Sequence, residues 1–306
     1  MIILFTDLDG TLLDESAYSA DAAREALRWV DELGLPLVFC TSKTRAEVEY
    51  WRSTLRNPHP FIVENGGALY VPDGYFPPRF GAPDQRDTYG IFEFGIPYDD
   101  LVETLRQASR ETGCRVRCFR DMSANEIGRK YGLSLEQARL AKIREYDEPF
   151  EILDPPGDEL LEAIKCRGKN WTRGGRLYHI MGHGNKAHGV CLLTYYYRST
   201  FETIITVGLG DGMNDLGFLR CVDIPVIIKS KAAGKLKSAL PRARVTDQAG
   251  PEGWSQAVLD VLDKHAAPTE TASNEMTGKV GPFAFHRCFQ TASSGLSGIS
   301  DSLPSR

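Results

Sequence analysis

Residues 1–14, MIILFTDLDGTLLD, constrain the fold more than any other stretch. An apolar, β-branched run (2–6) ends in Asp7, and Asp9, Gly10 and Thr11 follow. Such a run reads as a buried strand. It delivers two carboxylates, one residue apart, to its C-terminal end, where open α/β sheets bind ligands. Two acids this close repel one another unless a cation lies between them, which points to a Mg²⁺ site. Asp7 then reads as a metal-held, ionised nucleophile, and Asp9 as an acid/base that need not stay charged. Gly10 permits the tight turn after the strand. D-x-D-G also opens calcium loops, but an EF-hand loop needs Glu at its twelfth position, and Tyr18 stands there.

Three further segments supply matching chemistry. Residues 204–215, IITVGLGDGMND, form a second β-rich run that breaks into a Gly-rich loop. Asp211 and Asp215 in that loop could complete an oxygen cage around Mg²⁺, directly or through waters. A dinucleotide loop would need Gly at 213, which is Met. Residues 37–47, LVFCTSKTRAE, read as a strand ending at Thr41 and Ser42, hydroxyls suited to a phosphoryl oxygen. Lys43 and Arg45 add positive charge, and Thr44-x-x-Glu47 is a capping box that opens the next helix. The N–H groups at that helix start also favour an anion. Lys186, in HGNKAHGV, is the cation that balances the phosphate and the carboxylates.

The four segments in this order, DxDGT, Thr/Ser, Lys and GDGMND, resemble the haloacid dehalogenase (HAD) phosphohydrolase superfamily, in its large-cap, Cof-like branch. The resemblance covers roughly residues 1–263. It implies an α/β, Rossmann-like core with a mainly parallel sheet and an inserted α+β cap. It also implies a two-step phosphoryl transfer, in which Asp7 attacks phosphorus and Asp9 protonates the leaving oxygen and then activates water. Mg²⁺ would bind Asp7, the backbone carbonyl of Asp9 and Asp211, with Asp215 close by. Thr41 and Lys186 would complete the catalytic set.

Other stretches narrow the resemblance. TSKTRAEVEYW (41–51), PFIVENGGALYVPDGYF (60–76), GLSLEQARLAKIREYDEPF (132–150) and TRGGRLYHIMG (172–182) look like the mannosyl-3-phosphoglycerate phosphatases. A substrate of that kind carries a phosphate, a carboxylate and a sugar. Arg144, Arg173 and Arg176, with Lys43, suit the anions, because a guanidinium fork matches oxyanions bidentately. Glu148 suits sugar hydroxyls, and Asn65 with Gly66 and Gly67 would line the cleft beneath the cap. Each has a plainer reading. Arg144 and Glu148 stand at i, i+4, the spacing of a helix-surface ion pair, and Glu145 offers Arg144 another partner. Gly174-Gly175 reads as a hairpin turn, and His179, on an alternating strand, as a packed or surface histidine. Kindred readings are a glucosyl-3-phosphoglycerate phosphatase or other sugar-phosphate phosphatase, a sugar phosphomutase and a non-catalytic sugar-phosphate sensor.

A chain of 306 residues suits two domains. The pattern predicts a core of 1–81 and 184–264, with a cap of 82–183 inserted. Residues 265–306 are rich in Ser, Thr, Gly and Ala and read as a disordered tail, with PFAFHRCF (282–289) as its one sticky segment. Net charge is −5 with no basic block, which argues against a nucleic-acid partner; the small phosphorylated sugar-acid substrate that the resemblance implies would be drawn by local charges. The apolar runs are too short to span a bilayer, and Asp7 and Asp9 interrupt any secretory signal. Seven cysteines, an odd number, predict free thiols in a reducing cytoplasm. Oligomeric state is not legible.

Overall fold

The computed structural model describes residues 1–15, 18–77, 84–174 and 177–265. Arg176, Gly175 and the expected tail from residue 266 onward, with its PFAFHRCF segment, lie outside the described residues.

The first strand, β1 (Ile2–Thr6), is buried along its whole length. Its side chains alternate between two cores. Ile2 and Leu4 enter one, and Ile3 and Phe5 the other. Helix α1 (Arg24–Glu32) follows, then β2 (Leu37–Cys40), α2 (Arg45–Thr54), β3 (Phe61–Val63) and β4 (Ala68–Pro72). The hairpin β5 (Asp84–Arg86) and β6 (Tyr89–Glu93) comes next. A middle section holds α3 (Tyr98–Thr112), β7 (Val116–Cys118), α4 (Ala124–Tyr131), α5 (Leu135–Ala141), β8 (Asp147–Ile152), α6 (Asp158–Cys166), β9 (Asn170–Gly174) and β10 (Leu177–Met181). The chain then returns through α7 (Lys186–Thr200), β11 (Ile205–Gly210), α8 (Leu216–Cys221), β12 (Ile224–Lys229), α9 (Ala233–Ala239), β13 (Arg244–Ala249) and α10 (Gly250–His265).

Among the described residues, nine strands form one sheet in the order β13-β12-β11-β1-β2-β3-β4-β6-β5. The run from β13 to β3 is parallel, and the β4-β6-β5 edge is antiparallel. β1 pairs with its sequence neighbour β2 on one side and with the distant β11 on the other, which makes a topological switch point, and the carboxylates that follow the first strand stand there. One face is covered by residues of α1, α2 and α10, including Trp254, whose indole N–H donates to Thr6 Oγ1 at 2.9 Å. The other face carries Val190, Leu193 and Tyr197 of α7 with Phe218 and Leu236.

A second, antiparallel sheet runs β7-β8-β10-β9. Leu101, Leu105, Leu160 and Ile164 of α3 and α6 pack on Phe150 and Ile180 from one of its faces. This is the α/β core with an inserted α+β unit that the sequence predicted. The expected division at 81–82 lies outside the described residues, and beyond it β5 and β6 still belong to the large sheet. We propose that the inserted unit begins after Glu93.

Where the chain leaves β3, residues 64–66 adopt positive φ in succession, 47°, 56° and 92°. At Gly66 a side chain is impossible for a second reason: a Cβ would lie 2.1 Å from the carbonyl carbon of Asn185. The loop after β3 therefore presses directly on the start of α7, which carries Lys186. Gly66→Ala should combine a left-handed strain with a backbone clash and lower stability by about 2 kcal/mol or more. A urea midpoint equal to that of the wild type would contradict this reading of the loop.

Candidate active site

Asp7 directly follows β1, and its amide donates to Leu209 O of the adjacent β11 at 2.9 Å. The register brings the loop after β11 beside the loop after β1. Oxygens of Asp7, Asp211 and Asp215 consequently lie within 4.8 Å of one another. The N-terminal residue of α7, Lys186, enters this group from beneath. Its ammonium donates to Asp7 Oδ1 at 2.9 Å and to Asp215 Oδ1 at 2.6 Å, and the residue is 1% exposed.

Burial opposes the charged forms of Asp7, Asp211 and Lys186. It pushes the Asp7 carboxyl up to about 7, with Lys186 only partly offsetting it and Asp215 adding repulsion. It pushes Asp211 up to about 8, with Asp215 and Asp7 reinforcing the shift. Burial alone would depress the Lys186 pKa, but Asp215 and Asp7 outweigh it and hold it above the ordinary value. One cation among three carboxylates leaves the cluster short of positive charge. A donor set made only of hard carboxylate oxygens fits Mg²⁺ well.

The three aspartates are not equivalent. Asp215 is fully buried, and its Oδ2 accepts from the Asp211 and Gly212 amides at 3.0 and 2.9 Å. With Oδ1 on Lys186, it shapes the loop and anchors the lysine within the same carboxylate cluster. Asp211 Oδ1 accepts from Thr11 Oγ1 at 3.1 Å. Asp7 and Asp211 both line the cleft. The Asp9 side chain turns away from the cluster to Lys43, whose Nζ lies 2.9 Å from Oδ1. Burial would lower the Lys43 pKa, but Asp9 and Glu47 hold it above the ordinary value. Thr41 is fully buried and its Oγ1 accepts from the Lys43 amide at 3.2 Å, while Ser42 lines the cleft. Thr44 forms the expected capping box with Glu47.

The cleft, of about 170 Å³, lies between this strand edge and the inserted unit. Asp7, Asp9, Ser42, Lys43, Asp211 and Asn214 line the core side. Phe119, Tyr131, Arg144, Pro149, Leu177 and His179 line the other. Of the predicted substrate residues, Lys43 and Arg144 reach it. Arg144 donates from Nη1 to Ser42 O at 3.1 Å and to Asp147 Oδ1 at 3.2 Å, so its partner is neither Glu148 nor Glu145. Asn65 stands behind the lining, bridging Asn214 Nδ2 (3.1 Å) and Asp147 Oδ2 (2.7 Å). Gly66 packs against the backbone at 185–186.

Glu148 and Arg173 point elsewhere, and strand parity is the reason. Glu148 alternates with Asp147 and Pro149, so it shares the face of Ile180 and Phe150. There it accepts from the Arg120 amide at 3.0 Å and hydrogen-bonds Tyr98. Arg173 is paired across the ladder with Tyr178 and stacks on its ring at 5.1 Å. Sequence reasoning passed over Asp147 entirely and set His179 aside. An Asp and a His on the same parity of two paired strands was the available signal, but the pairing itself was not visible.

A family model for haloacid dehalogenase-like hydrolases matches residues 4–75. Over 267 residues the chain is 40% identical to the glucosyl-3-phosphoglycerate/mannosyl-3-phosphoglycerate phosphatase of Methanococcoides burtonii, covering 86% of this chain and 98% of that one. The enzyme of the same description from Persephonella marina is 36% identical, with the same coverage. The mannosyl-3-phosphoglycerate phosphatase of Pyrococcus furiosus is 34% identical over 74% of this chain and 90% of its own. Among solved structures, a HAD subclass IIB sugar phosphatase shares the fold with a TM-score of 0.59 at 19% identity, covering 85% of this chain and 98% of that one.

The raised carboxyl pKa values carry a signed consequence. Between about pH 4 and pH 7–8 the folded state keeps protons on Asp7 and Asp211 that the unfolded chain has released. Their contribution to metal-free stability therefore falls as pH rises through that window. At pH 6 a metal must displace those protons, and at pH 8 it need displace few. The rise in Tm on adding Mg²⁺ should be larger at pH 8 than at pH 6. An equal rise at both would contradict metal binding at these two carboxylates.

Proposed function

We propose a function on this premise: the chain belongs to the haloacid dehalogenase superfamily of phosphatases and is closely related to the glucosyl/mannosyl-3-phosphoglycerate phosphatases. Its reaction is hydrolysis of the phosphomonoester of mannosyl-3-phosphoglycerate, releasing mannosylglycerate and phosphate. The glucosyl epimer is accepted as well, because the two relatives of highest identity given above carry both sugars in their descriptions. One observation carries the reading: a nucleophile-grade carboxylate, Asp7, faces a cleft whose walls hold Lys43 and Arg144, cations for a substrate with two anionic groups.

Asp7 attacks phosphorus, and the bond to the ester oxygen breaks. The leaving alkoxide takes its proton from Asp9. Asp9 then removes a proton from water, which attacks the aspartyl-phosphate and frees Asp7. Lys43 keeps Asp9 oriented toward the cleft. Lys186, fixed by Asp215, sets the rotamer of Asp7 and balances charge on the phosphoryl group. Thr41 and Ser42 stand at the end of β2, where a hydroxyl can meet a phosphoryl oxygen. Mg²⁺, held by Asp7 and Asp211 with the Asp9 carbonyl, would stabilise negative charge on the transferred group. Arg144 faces the carboxylate that simple phosphate esters lack.

A phosphate-release screen with Mg²⁺ tests this. Mannosyl- and glucosyl-3-phosphoglycerate should be hydrolysed with kcat/KM well above that for p-nitrophenyl phosphate. Asp7→Asn should abolish turnover, and Asp9→Asn should slow it by roughly 10²–10⁴-fold. A wild type that prefers simple hexose phosphates would overturn the substrate assignment. An Asp7→Asn enzyme that turns over normally, with reversion to Asp excluded by mass spectrometry, would overturn the mechanism.

A further inference from the structure

His179 has no part in the reaction described above, yet it lines the cleft with Asp7, Asp9 and Asp211 while being only 5% exposed. Its Nδ1 lies 2.8 Å from Asp147 Oδ1. Asp147 is fully buried. Burial would raise its pKa, but His179, Arg144 and Asn65 outweigh that and hold it below the ordinary carboxylate value. An ionised carboxylate only accepts, so Nδ1 carries the proton and Nε2 is the ring atom left to meet a ligand. Among the described residues nothing hydrogen-bonds to Nε2. Its location is marked by Gly174, where a Cβ would lie 3.8 Å from Nε2 and 3.8 Å from Asn214 Nδ2. Nε2 therefore stands at the seam between the β9-β10 hairpin and the loop that carries Asp211.

The support behind the imidazole is unusually complete. Asp147 Oδ1 also receives Arg144 Nη1, and Oδ2 receives Asn65 Nδ2, itself tied to Asn214. Three separate segments thus fix one carboxylate, whose use is to hold a ring in one tautomer and orientation. The cations of the cleft, Lys43 and Arg144, suit anions. A histidine presenting Nε2 suits a hydroxyl, which can both donate and accept.

We propose that His179 is a specificity-determining residue that hydrogen-bonds, through Nε2, a hydroxyl on the part of the substrate beyond its phosphate, and that Asp147 is its positioning residue. The proposal rests on the reading of the site as one for a polyhydroxylated phosphate ester. It adds to Arg144 the face of the β8-β10 ladder that carries Asp147 and His179, and not the opposite face that carries Glu148.

The test uses the full chain with Mg²⁺, mannosyl-3-phosphoglycerate and p-nitrophenyl phosphate, and compares the ratio of the two kcat/KM values. His179→Ala should lower that ratio about 10-fold or more, the scale of one lost hydrogen bond to a desolvated group. His179→Gln, whose amide can place a polar atom near Nε2, should recover part of it. Asp147→Asn should lower the same ratio, and in the double variant with His179→Ala the two losses should not add. Should the alanine variant fail to fold, His179→Leu makes the same comparison. A ratio unchanged in the histidine variants, or fully additive losses, would overturn the proposal. If the wild type prefers another sugar phosphate, the function proposed above fails, and that ester replaces the glycosyl substrate in the same ratio. A wild type that hydrolyses no sugar phosphate overturns both.

Discussion

A single ammonium, that of Lys186, lies between two buried carboxylates, and much of the site is arranged around it. Asp7 comes from the first strand, Asp215 from the turn after β11, and the lysine from the start of α7. No one of the three would be stable alone at this depth. An unpaired buried charge costs several kcal/mol, so breaking such a pair by removing one partner typically costs about 3–5 kcal/mol. The close approach of Gly66 to the backbone at 185–186 sets the height at which the lysine enters. Fold and chemistry are joined at this point: the parallel pairing of β1 with β11 places the acids, and the loop after β3 places the cation.

The second fixed point is Asp147. It accepts from Arg144, Asn65 and His179, which belong respectively to the link before β8, the strained turn after β3, and β10. Tyr146 beside it seats against Gly67 and Gly95, where any Cβ would lie under 3 Å from the tyrosine Cβ. The inserted unit is thus fitted to the large sheet by shape as well as by polar contacts. The chain of hydrogen bonds Asp147–Asn65–Asn214 runs from that unit to the loop carrying Asp211, so the two sides of the cleft share one frame.

What the sequence disclosed follows from where each group sits relative to its own element. Asp7, Asp211, Lys43 and the Thr44 cap stand at strand ends or helix starts, where a contiguous motif states the local geometry. Lys186 was legible from charge balance. The substrate side was harder, since it depends on which strands pair. The i, i+4 spacing of Arg144 and Glu148 also suited a helix surface, which would set the two side chains together. Once Asp147–Ile152 is a strand, parity sends Glu148 to the opposite face and leaves Asp147 toward the core. Arg173 was misplaced in the same way by its pairing with Tyr178. Asn65 proved to be a bridge behind the cleft wall, because its two partners lie 82 and 149 residues away in sequence.

The proposed reaction is covalent: a phosphoryl group would pass through Asp7. Turnover of mannosyl-3-phosphoglycerate quenched in acid, followed by peptide mapping, tests it directly. An acyl-phosphate is expected on the N-terminal peptide, localised to Asp7, appearing only with substrate and decaying on further incubation before the quench. A phosphoryl group on any other residue, or efficient turnover with none trapped at Asp7 on a time scale shorter than one catalytic cycle, would contradict it.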